Sequence, residues 1–111
     1  SYDLRAAGAT VLPCGACTLV PSVERVELPA DLAATLRCRS SLARRGVLIG
    51  GGFVDPGFCG QLTLCLTNMG SEPITLAGGD RVVQMVVQEV RNGDRLYRGR
   101  YQDSLGAVHT R

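Results

Sequence analysis

The residue of this sequence best suited to chemistry is Asp55, in the stretch Gly52-Phe53-Val54-Asp55-Pro56-Gly57-Phe58-Cys59-Gly60. Its glycines allow sharp bends and a close approach of the backbone to a ligand, and Pro56 fixes the turn after the carboxylate. A carboxylate held there can orient a water or hydroxyl, while the neighbouring backbone reads the edge of a flat base. The alternative interpretation is a β-hairpin turn in which Asp55 caps only its own backbone.

A second group of residues suits phosphate binding. The run Arg39-Ser40-Ser41-Leu42-Ala43-Arg44 places two guanidinium groups and two hydroxyls around a short predicted helix over residues 40–45. Ser at the N-cap, Arg at the C-terminal end and Gly46 directly after it are typical of such a helix. Arginine suits bidentate phosphate contact, and free N–H groups at a helix start favour anions. The alternative is an ordinary capped helix on the solvated surface.

Two further groups are weaker candidates when taken alone. Gly79-Asp80-Arg81-Val82-Val83-Gln84 brings a carboxylate, a cation and an amide to one strand entry, although a hairpin turn would explain the same pattern. Residues 92–111 form a polar arm that contains Tyr97, Arg100 and Tyr101. That arm could fold over an anionic ligand or could be a mobile terminus, which is the default for chain ends.

The cysteines give no clear metal or redox site. Their number, five, rules out a complete set of internal disulfides. Cys14-Gly15-Ala16-Cys17 has the spacing of metal ligands, but no second such pair exists and His109 is the only histidine. Most of the cysteines are therefore expected to be small buried hydrophobic residues, with a disulfide left open as an alternative.

Composition narrows the class of protein. The net charge of +2 is small and the basic residues are scattered, so no nucleic-acid surface is indicated. All 12 basic residues are Arg, which excludes lysine-based chemistry. No apolar run approaches the length of about 20 residues that a membrane span requires, and no signal peptide is visible. A cytoplasmic protein is expected, and the strand-like beginning leaves room for a leader or first strand before Ser1.

The elements that must position these residues are short strands separated by turns. The clearest is residues 62–67, which alternates leucines on one face with Thr63, Cys65 and Thr67 on the other. Residues 68–71 are interpreted as a hairpin turn, and Pro21 as the end of a strand. The other predicted strands are 2–7, 17–20, 23–28, 33–39, 74–77 and 81–90. Residues 1–111 are thus expected to form a single all-β domain, namely a sandwich, a jelly roll or a small barrel.

Taken in order, these groups resemble the motifs of the dUTPase and dCTP deaminase superfamily. The resemblance spans nearly the whole chain, and several ordered motifs make it specific at the level of the superfamily. The matching stretches are Tyr2-Asp3-Leu4-Arg5, Arg39-Ser40-Ser41-Leu42-Ala43-Arg44, Phe53-Val54-Asp55-Pro56-Gly57-Phe58-Cys59-Gly60, Asn68-Met69-Gly70, Gly79-Asp80-Arg81-Val82-Val83-Gln84-Met85 and Arg100-Tyr101-Gln102-Asp103-Ser104-Leu105-Gly106-Ala107.

The resemblance implies a distorted jelly roll that forms a homotrimer with active sites shared between subunits. The substrate would be a deoxyuridine or deoxycytidine triphosphate carrying Mg²⁺. Asp55 would lie near the sugar 3′-hydroxyl and activate the hydrolytic water, and Phe58 would pack against deoxyribose. The phosphates would be bound by Arg39, Ser40, Ser41 and Arg44. The base would be bound by the backbone of the 50–54 turn, including Gly52 and Val54. The region around the metal and the phosphates would be supported by Asp3, Asp80 and Gln84.

Position 65 and the C-terminal arm bear on the branch of the superfamily. The resemblance implies that a deaminase carries a Glu proton shuttle ten residues after the turn Asp, where this chain has Cys65. The arm, with Arg100 and Ser104 at the Lys and Gln positions of deaminases, lacks the Gly-rich closing motif of many dUTPases. A deaminase-like dUTPase that forms dUMP and pyrophosphate is therefore favoured. The alternatives are a dCTP deaminase with an unusual shuttle and a catalytically inactive nucleotide-binding trimer.

Overall fold

Residues 2–91 fold into nine strands and one short helix. The computed structural model describes residues 2–91 and 105–106. The strands are β1 (Tyr2–Arg5), β2 (Thr10–Leu12), β3 (Cys17–Glu27), β4 (Leu32–Cys38), β5 (Val47–Gly50), β6 (Phe53–Val54), β7 (Cys59–Asn68), β8 (Ile74–Leu76) and β9 (Arg81–Glu89), and the helix α1 (Ser40–Ala43) follows β4. None of the helices in this part of the chain is long and apolar enough to cross a membrane.

The strands form three sheets, with the orders β1-β9-β4-β6, β3-β7-β5 and β2-β8. All strand pairs within these sheets are antiparallel. Strands that follow one another in the chain mostly lie in different sheets, so the chain crosses repeatedly between layers. Such crossing brings residues that are distant in sequence to the same edge of the molecule.

One hydrophobic core lies between the sheets. Its buried side chains come from every sheet and include Leu4, Leu66, Leu76 and Val83. Alternation places them there: along β7 each even-numbered residue from 60 to 68 is buried and each odd-numbered one is half-buried. The predicted period-two pattern of residues 62–67 is confirmed because a strand directs successive side chains to opposite faces.

Several local predictions need correction. Pro21 does not end a strand, since β3 continues through it and absorbs it in a register irregularity between Pro21 and Arg25. Residues 68–71 do not form a hairpin turn, because β7 pairs with β3 and β5 whereas β8 pairs with β2. In each case the deciding contact is with a strand far away in sequence, which local turn propensity does not report.

The predicted helix begins and ends differently from expectation. It spans Ser40–Ala43, and Arg39, not Ser40, occupies the N-cap position without a side-chain capping bond. The backbone N–H of Arg39 donates to the Val82 carbonyl at 3.1 Å, so Arg39 still belongs to the sheet when the helix starts. Strand pairing with β9 thus moves the helix start back by one residue.

Candidate functional site

The Asp55 turn lies between β6 and β7, with Asp55 itself exposed. The Phe58 N–H donates to the Asp55 carbonyl at 3.2 Å, and Gly57 has φ +83°, as the third position of a type II turn with Pro56 before it requires. Two further backbone bonds tie the turn to Leu28: Gly57 N–H donates to the Leu28 carbonyl at 3.1 Å, and Leu28 N–H donates to the Phe58 carbonyl at 2.9 Å. The turn is no hairpin, since β6 pairs with β4 instead of β7.

The backbone before Asp55 crosses from one sheet to the other. Gly50 pairs with Cys65 at the end of β5, and Val54 pairs with Ala34 in β6. Between them, Gly51 and Gly52 have φ values of +73° and +86°, and the Gly52 carbonyl accepts a hydrogen bond from Leu36 N–H at 2.7 Å. Positive φ at both positions requires glycine, so the predicted base-reading segment has a conformation that few other residues could adopt.

The two phenylalanines of this region differ in burial. Phe58 is only 7% exposed and belongs to the hydrophobic core, so its contact with a sugar stays a prediction. Phe53, two residues before Asp55, is 54% exposed and pairs in register with Thr35. Phe53 was not among the predicted site residues. The alternation of exposed Phe53 with buried Val54 in β6 is the signal that would have found it.

The other motifs meet at the opposite end of the β1-β9-β4 sheet. Asp3 and Arg37 both pair with Gln84, which puts the three residues in one row across β1, β9 and β4. Arg39 follows β4 at this end, bonded through its N–H to the Val82 carbonyl. The matching stretches 2–5, 39–44 and 79–85 are therefore brought together. Arg37, which lies in the same row, had not been predicted as a site residue.

Two of the carboxylates at this end already have partners. Asp3 Oδ2 lies 3.6 Å from the Arg81 guanidinium. The Asp80 carboxylate accepts the Ala77 N–H at 2.8 Å and so closes its own turn. Within residues 2–91 and 105–106, no group of three or more His, Cys, Asp or Glu side chains could hold a metal ion. A metal here would therefore depend on phosphate oxygens of a ligand in addition to Asp3.

The phosphate-binding candidates are accessible. Ser40, Ser41 and Arg44 are exposed and Arg39 is half-buried. Neither guanidinium has a hydrogen-bond or ion-pair partner among the described residues. The Arg39 and Arg44 guanidinium groups flank α1 and can therefore bind an anionic ligand without first breaking an ion pair within the protein.

Asp55 lies far from these cations within one chain. The register Ala34–Val54 puts Asp55 at the level of Ala33, whereas Arg39 follows the last residue of β4. Six residues of extended strand separate these levels, which corresponds to about 20 Å. An arginine side chain is far shorter than that, so within a single subunit the Arg39 guanidinium does not reach a phosphate group held beside Asp55.

Cys65 lies beside the segment that is predicted to read the base. It is half-buried on the outer face of β7, opposite Gly50, and a Cβ atom built on Gly50 would lie 3.9 Å from the Cys65 Cβ. Burial, and to a smaller extent the nearby Cys17, raises the pKa of the Cys65 thiol above its usual value. The thiol is therefore protonated near neutral pH.

The cysteines correct one sequence-based expectation. Cys14 and Cys17 are exposed, and Cys38, Cys59 and Cys65 are half-buried, so none of the five is a fully buried hydrophobic residue. None of the five is in a disulfide bond. The half-buried cysteines lie on β4 and β7, where a sheet face covered only in part leaves a small side chain partly open to solvent.

Part of the predicted arm contacts β7. Gly106 N–H donates to Gln61 Oε1 at 2.6 Å, and Thr63 Oγ1 donates to the Gly106 carbonyl at 3.4 Å. Gln61 in turn donates to the Ser22 carbonyl at 2.7 Å. The substrate-binding predictions for Tyr97, Arg100 and Tyr101 lie outside the described residues.

Comparison with known proteins identifies the family. The sequence profile of dCTP deaminase-like proteins matches residues 2–90. The chain belongs to this family. A dCTP deaminase of Thermococcus gammatolerans is 42% identical over 103 residues, which cover 92% of this chain and 66% of that protein. A "dCTP deaminase, dUMP-forming" of Halobacterium salinarum is 42% identical over 108 residues, covering 91% of this chain and 55% of the relative.

Solved structures show the same fold. The native dUTPase of EIAV superimposes with a TM-score of 0.74 at 24% identity, covering 90% of this chain and 83% of the viral protein. A variant of the Staphylococcus bacteriophage 80alpha dUTPase in complex with dUpNHpp gives a TM-score of 0.72 at 19% identity, with 81% of this chain and 79% of the phage protein covered. The predicted all-β fold of the dUTPase type, a distorted jelly roll, and the predicted superfamily are thereby confirmed.

Proposed function

We propose that this chain hydrolyses dUTP to dUMP and pyrophosphate, with Asp55 as the base or water-orienting group. The observation that carries the proposal is the Cys65 thiol, which lies beside Gly50 where the resemblance implies the carboxylate of a deaminase. Deamination at cytosine C4 requires a group that takes a proton from water and delivers one to the ring and the leaving ammonia. A protonated thiol is a poor group for this task, whereas a carboxylate suits it.

Phosphoanhydride hydrolysis makes no demand on position 65. It needs a positioned water, cations on the phosphates and a carboxylate, and Asp55, Arg39 and Arg44 are exposed or half-buried for these tasks. Mg²⁺ bound with the triphosphate would neutralise charge on its oxygens, with Asp3 as an indirect contributor. The name "dUMP-forming" of the Halobacterium relative supports the proposal, because forming dUMP from dCTP requires phosphoanhydride cleavage as well as deamination.

The separation of Asp55 from Arg39 supports an assembly with shared sites. A base must lie within hydrogen-bond reach of the water that attacks the phosphate, so the phosphates must lie near Asp55. Since about 20 Å of strand separates the two residues in one chain, the cations would come from a neighbouring subunit. A homotrimer with three shared sites, located in the cytoplasm, is the arrangement we propose.

Deamination of dCTP is the second candidate. It is favoured by the names of the relatives in Thermococcus gammatolerans and Pyrococcus horikoshii, which are 42% and 40% identical to this chain. In that case a residue other than Cys65 would transfer the proton. The chain spans about two thirds of the length of these relatives.

Product analysis separates the candidates. The protein is incubated with Mg²⁺ and either dUTP or dCTP, and pyrophosphate, ammonia and the nucleotide products are quantified. We expect pyrophosphate and dUMP from dUTP, no ammonia from dCTP, and nearly unchanged dUTP turnover for Cys65→Ser. Ammonia from dCTP at a rate equal to or above dUTP hydrolysis would establish the deaminase instead. Nucleotide binding without any product would identify an inactive nucleotide-binding protein.

A further inference from the structure

An open cleft lies between the turn that follows α1 (residues 44–46) and the turn between β7 and β8 (residues 70–72). Its volume is about 360 Å³, within the range of roughly 300–1,000 Å³ that is common for small-molecule sites. It is lined by Arg44, Arg45, Gly46, Gly70, Ser71 and Glu72. Arg45, Ser71 and Glu72 belong to none of the functional groups considered above.

Close backbone packing fixes the walls of the cleft. A Cβ atom on Gly46 would lie 2.6 Å from the Gly70 nitrogen, so the two corners meet more closely than any side chain would allow. The Met69 N–H donates to the Gly46 carbonyl at 2.8 Å. Asn68, which is fully buried, accepts the Gly70 N–H at 2.9 Å through its side-chain oxygen. The backbone on both sides is therefore preorganised and does not need to be ordered by a ligand.

The Asn68 side chain also sets where the far wall lies. Its amide nitrogen donates to the carbonyls of Leu12 at 2.9 Å and Glu72 at 2.8 Å. One buried amide at the end of β7 thus binds both Leu12 in β2 and Glu72 in the wall of the cleft. Because both amide hydrogens and the amide oxygen of Asn68 have hydrogen-bond partners in a buried setting, residues 68–72 have little freedom to shift.

The cleft carries a net positive charge. Arg44 and Arg45 are exposed and, in the part of the chain that the structure describes, neither guanidinium has an ion-pair partner. The Ser71 hydroxyl supplies a further hydrogen-bond donor on the opposite wall. Glu72 contributes one negative charge against the two positive charges. Guanidinium groups match phosphate oxygens in bidentate geometry, so two adjacent ones match two linked phosphate groups.

We infer that this cleft binds a diphosphate group, with Arg45 and Ser71 as ligands beside Arg44. The chemistry is the same whether the group is free pyrophosphate or the terminal phosphates of a nucleotide. The inference concerns binding alone and does not depend on the hydrolytic activity proposed above. It predicts that a diphosphate binds more tightly than a single phosphate, since only the former engages both guanidinium groups.

Glu72 allows a test in which the affinity for pyrophosphate should rise instead of fall. A carboxylate beside a bound diphosphate repels it, so Glu72→Gln should raise the affinity for pyrophosphate measured without metal. A merely structural role of Glu72 would leave the affinity unchanged or lower it.

The test is titration calorimetry of the intact protein with inorganic pyrophosphate, inorganic phosphate and a non-hydrolysable dUTP analogue. Arg45→Ala should weaken pyrophosphate binding roughly 10- to 100-fold, the range for a lost charged hydrogen bond. The matched control is Arg91→Ala. It removes one exposed arginine that follows the C-terminal end of β9 and does not line the cleft, so pyrophosphate binding should stay unchanged. Ser71→Ala should weaken binding by a smaller factor, and circular dichroism verifies that each variant is folded.

The outcomes distinguish free pyrophosphate from the terminal phosphates of a nucleotide, and they test the inference itself. A parallel loss of pyrophosphate and analogue binding in Arg45→Ala would assign the cleft to the terminal phosphates of the nucleotide. A loss of pyrophosphate binding alone would assign it to the free anion. Equal pyrophosphate affinities for Arg45→Ala and Arg91→Ala would overturn the inference, as would a Glu72→Gln variant that binds pyrophosphate more weakly than the unmodified protein.

Discussion

The turn that carries Asp55 and the corner that carries Arg39 and Arg44 lie at opposite ends of β4 and are held in different ways. The turn is fixed by its own type II bond and by two backbone bonds to Leu28. The arginines extend from a four-residue helix without side-chain capping, and their guanidinium groups have no partner among the described residues.

This difference suits different tasks. A group that positions a reacting water has to be held at one place, because small displacements cost much of the rate. Phosphate ligands can adjust on binding, since a guanidinium forms strong charged hydrogen bonds over a range of side-chain conformations. Under the proposed function, each end of one chain would supply half of a site, so activity would require assembly.

The largest effect is expected at the turn. Asp55→Asn keeps the size of the side chain and the backbone bonds of the turn, but it removes the carboxylate. The rate of dUTP hydrolysis should fall by roughly 10²–10⁴-fold while dUTP binding remains nearly unchanged. Steady-state kinetics together with calorimetry of the variant measure both quantities. Full activity of Asp55→Asn would exclude this carboxylate as the base.

Mixing of variants tests whether the two ends meet across subunits. Asp55→Asn and Arg44→Ala chains are each expected to be poorly active alone. Co-expressed in equal amounts, they should regain activity, because random assembly places an intact Asp55 opposite an intact Arg44 in roughly one site in four of a symmetric oligomer. Light scattering should show a trimer. Activity of the mixture no greater than the average of the two variants would contradict a shared site.

A smaller effect is expected at the corner. Arg39→Ala or Arg44→Ala should weaken triphosphate binding by roughly 1.5–3 kcal/mol, the range for a charged hydrogen bond. The melting temperature should change little, because neither guanidinium has a partner among the described residues that the substitution would leave unpaired. The measurement is calorimetric titration with a non-hydrolysable dUTP analogue. Unchanged affinity in both variants would rule out this phosphate assignment.

The smallest effect is expected at the Arg5–Glu24 pair, for which no role in binding or catalysis is proposed. Burial raises the pKa of Glu24, but hydrogen bonds from the Arg5 backbone and side chain outweigh it and hold the pKa below its usual value. A depressed carboxyl pKa stabilises the fold above the unfolded-state value, and this contribution is lost as pH falls through the folded-state value.

Because the pair is partly exposed, Glu24→Gln should lower the free energy of unfolding by only about 0.2–1 kcal/mol at neutral pH. The difference from the unmodified protein should disappear in acid, below the usual carboxyl range. Denaturant unfolding of both proteins across this pH interval measures it, and dUTP turnover at neutral pH should not change. A difference that persisted at low pH would indicate that Glu24 stabilises the fold through packing instead of charge.

The sequence by itself determined the local features of this protein. Alternation fixed the faces of β7, the Asp-Pro-Gly order fixed a tight turn at Asp55, and the ordered motifs indicated the superfamily and the jelly-roll fold. Each of these depends on a residue and its near neighbours in the chain, for which steric and hydrophobic preferences act directly.

Only the tertiary structure decided the partners of these elements. It paired β6 with β4 instead of β7, carried β3 through Pro21 and moved the helix cap from Ser40 to Arg39. It also set Asp55 about 20 Å from Arg39 and brought Arg45 opposite Ser71 in one cleft. Such contacts join residues far apart in sequence and depend on how the sheets pack as a whole, which no short stretch of the chain encodes.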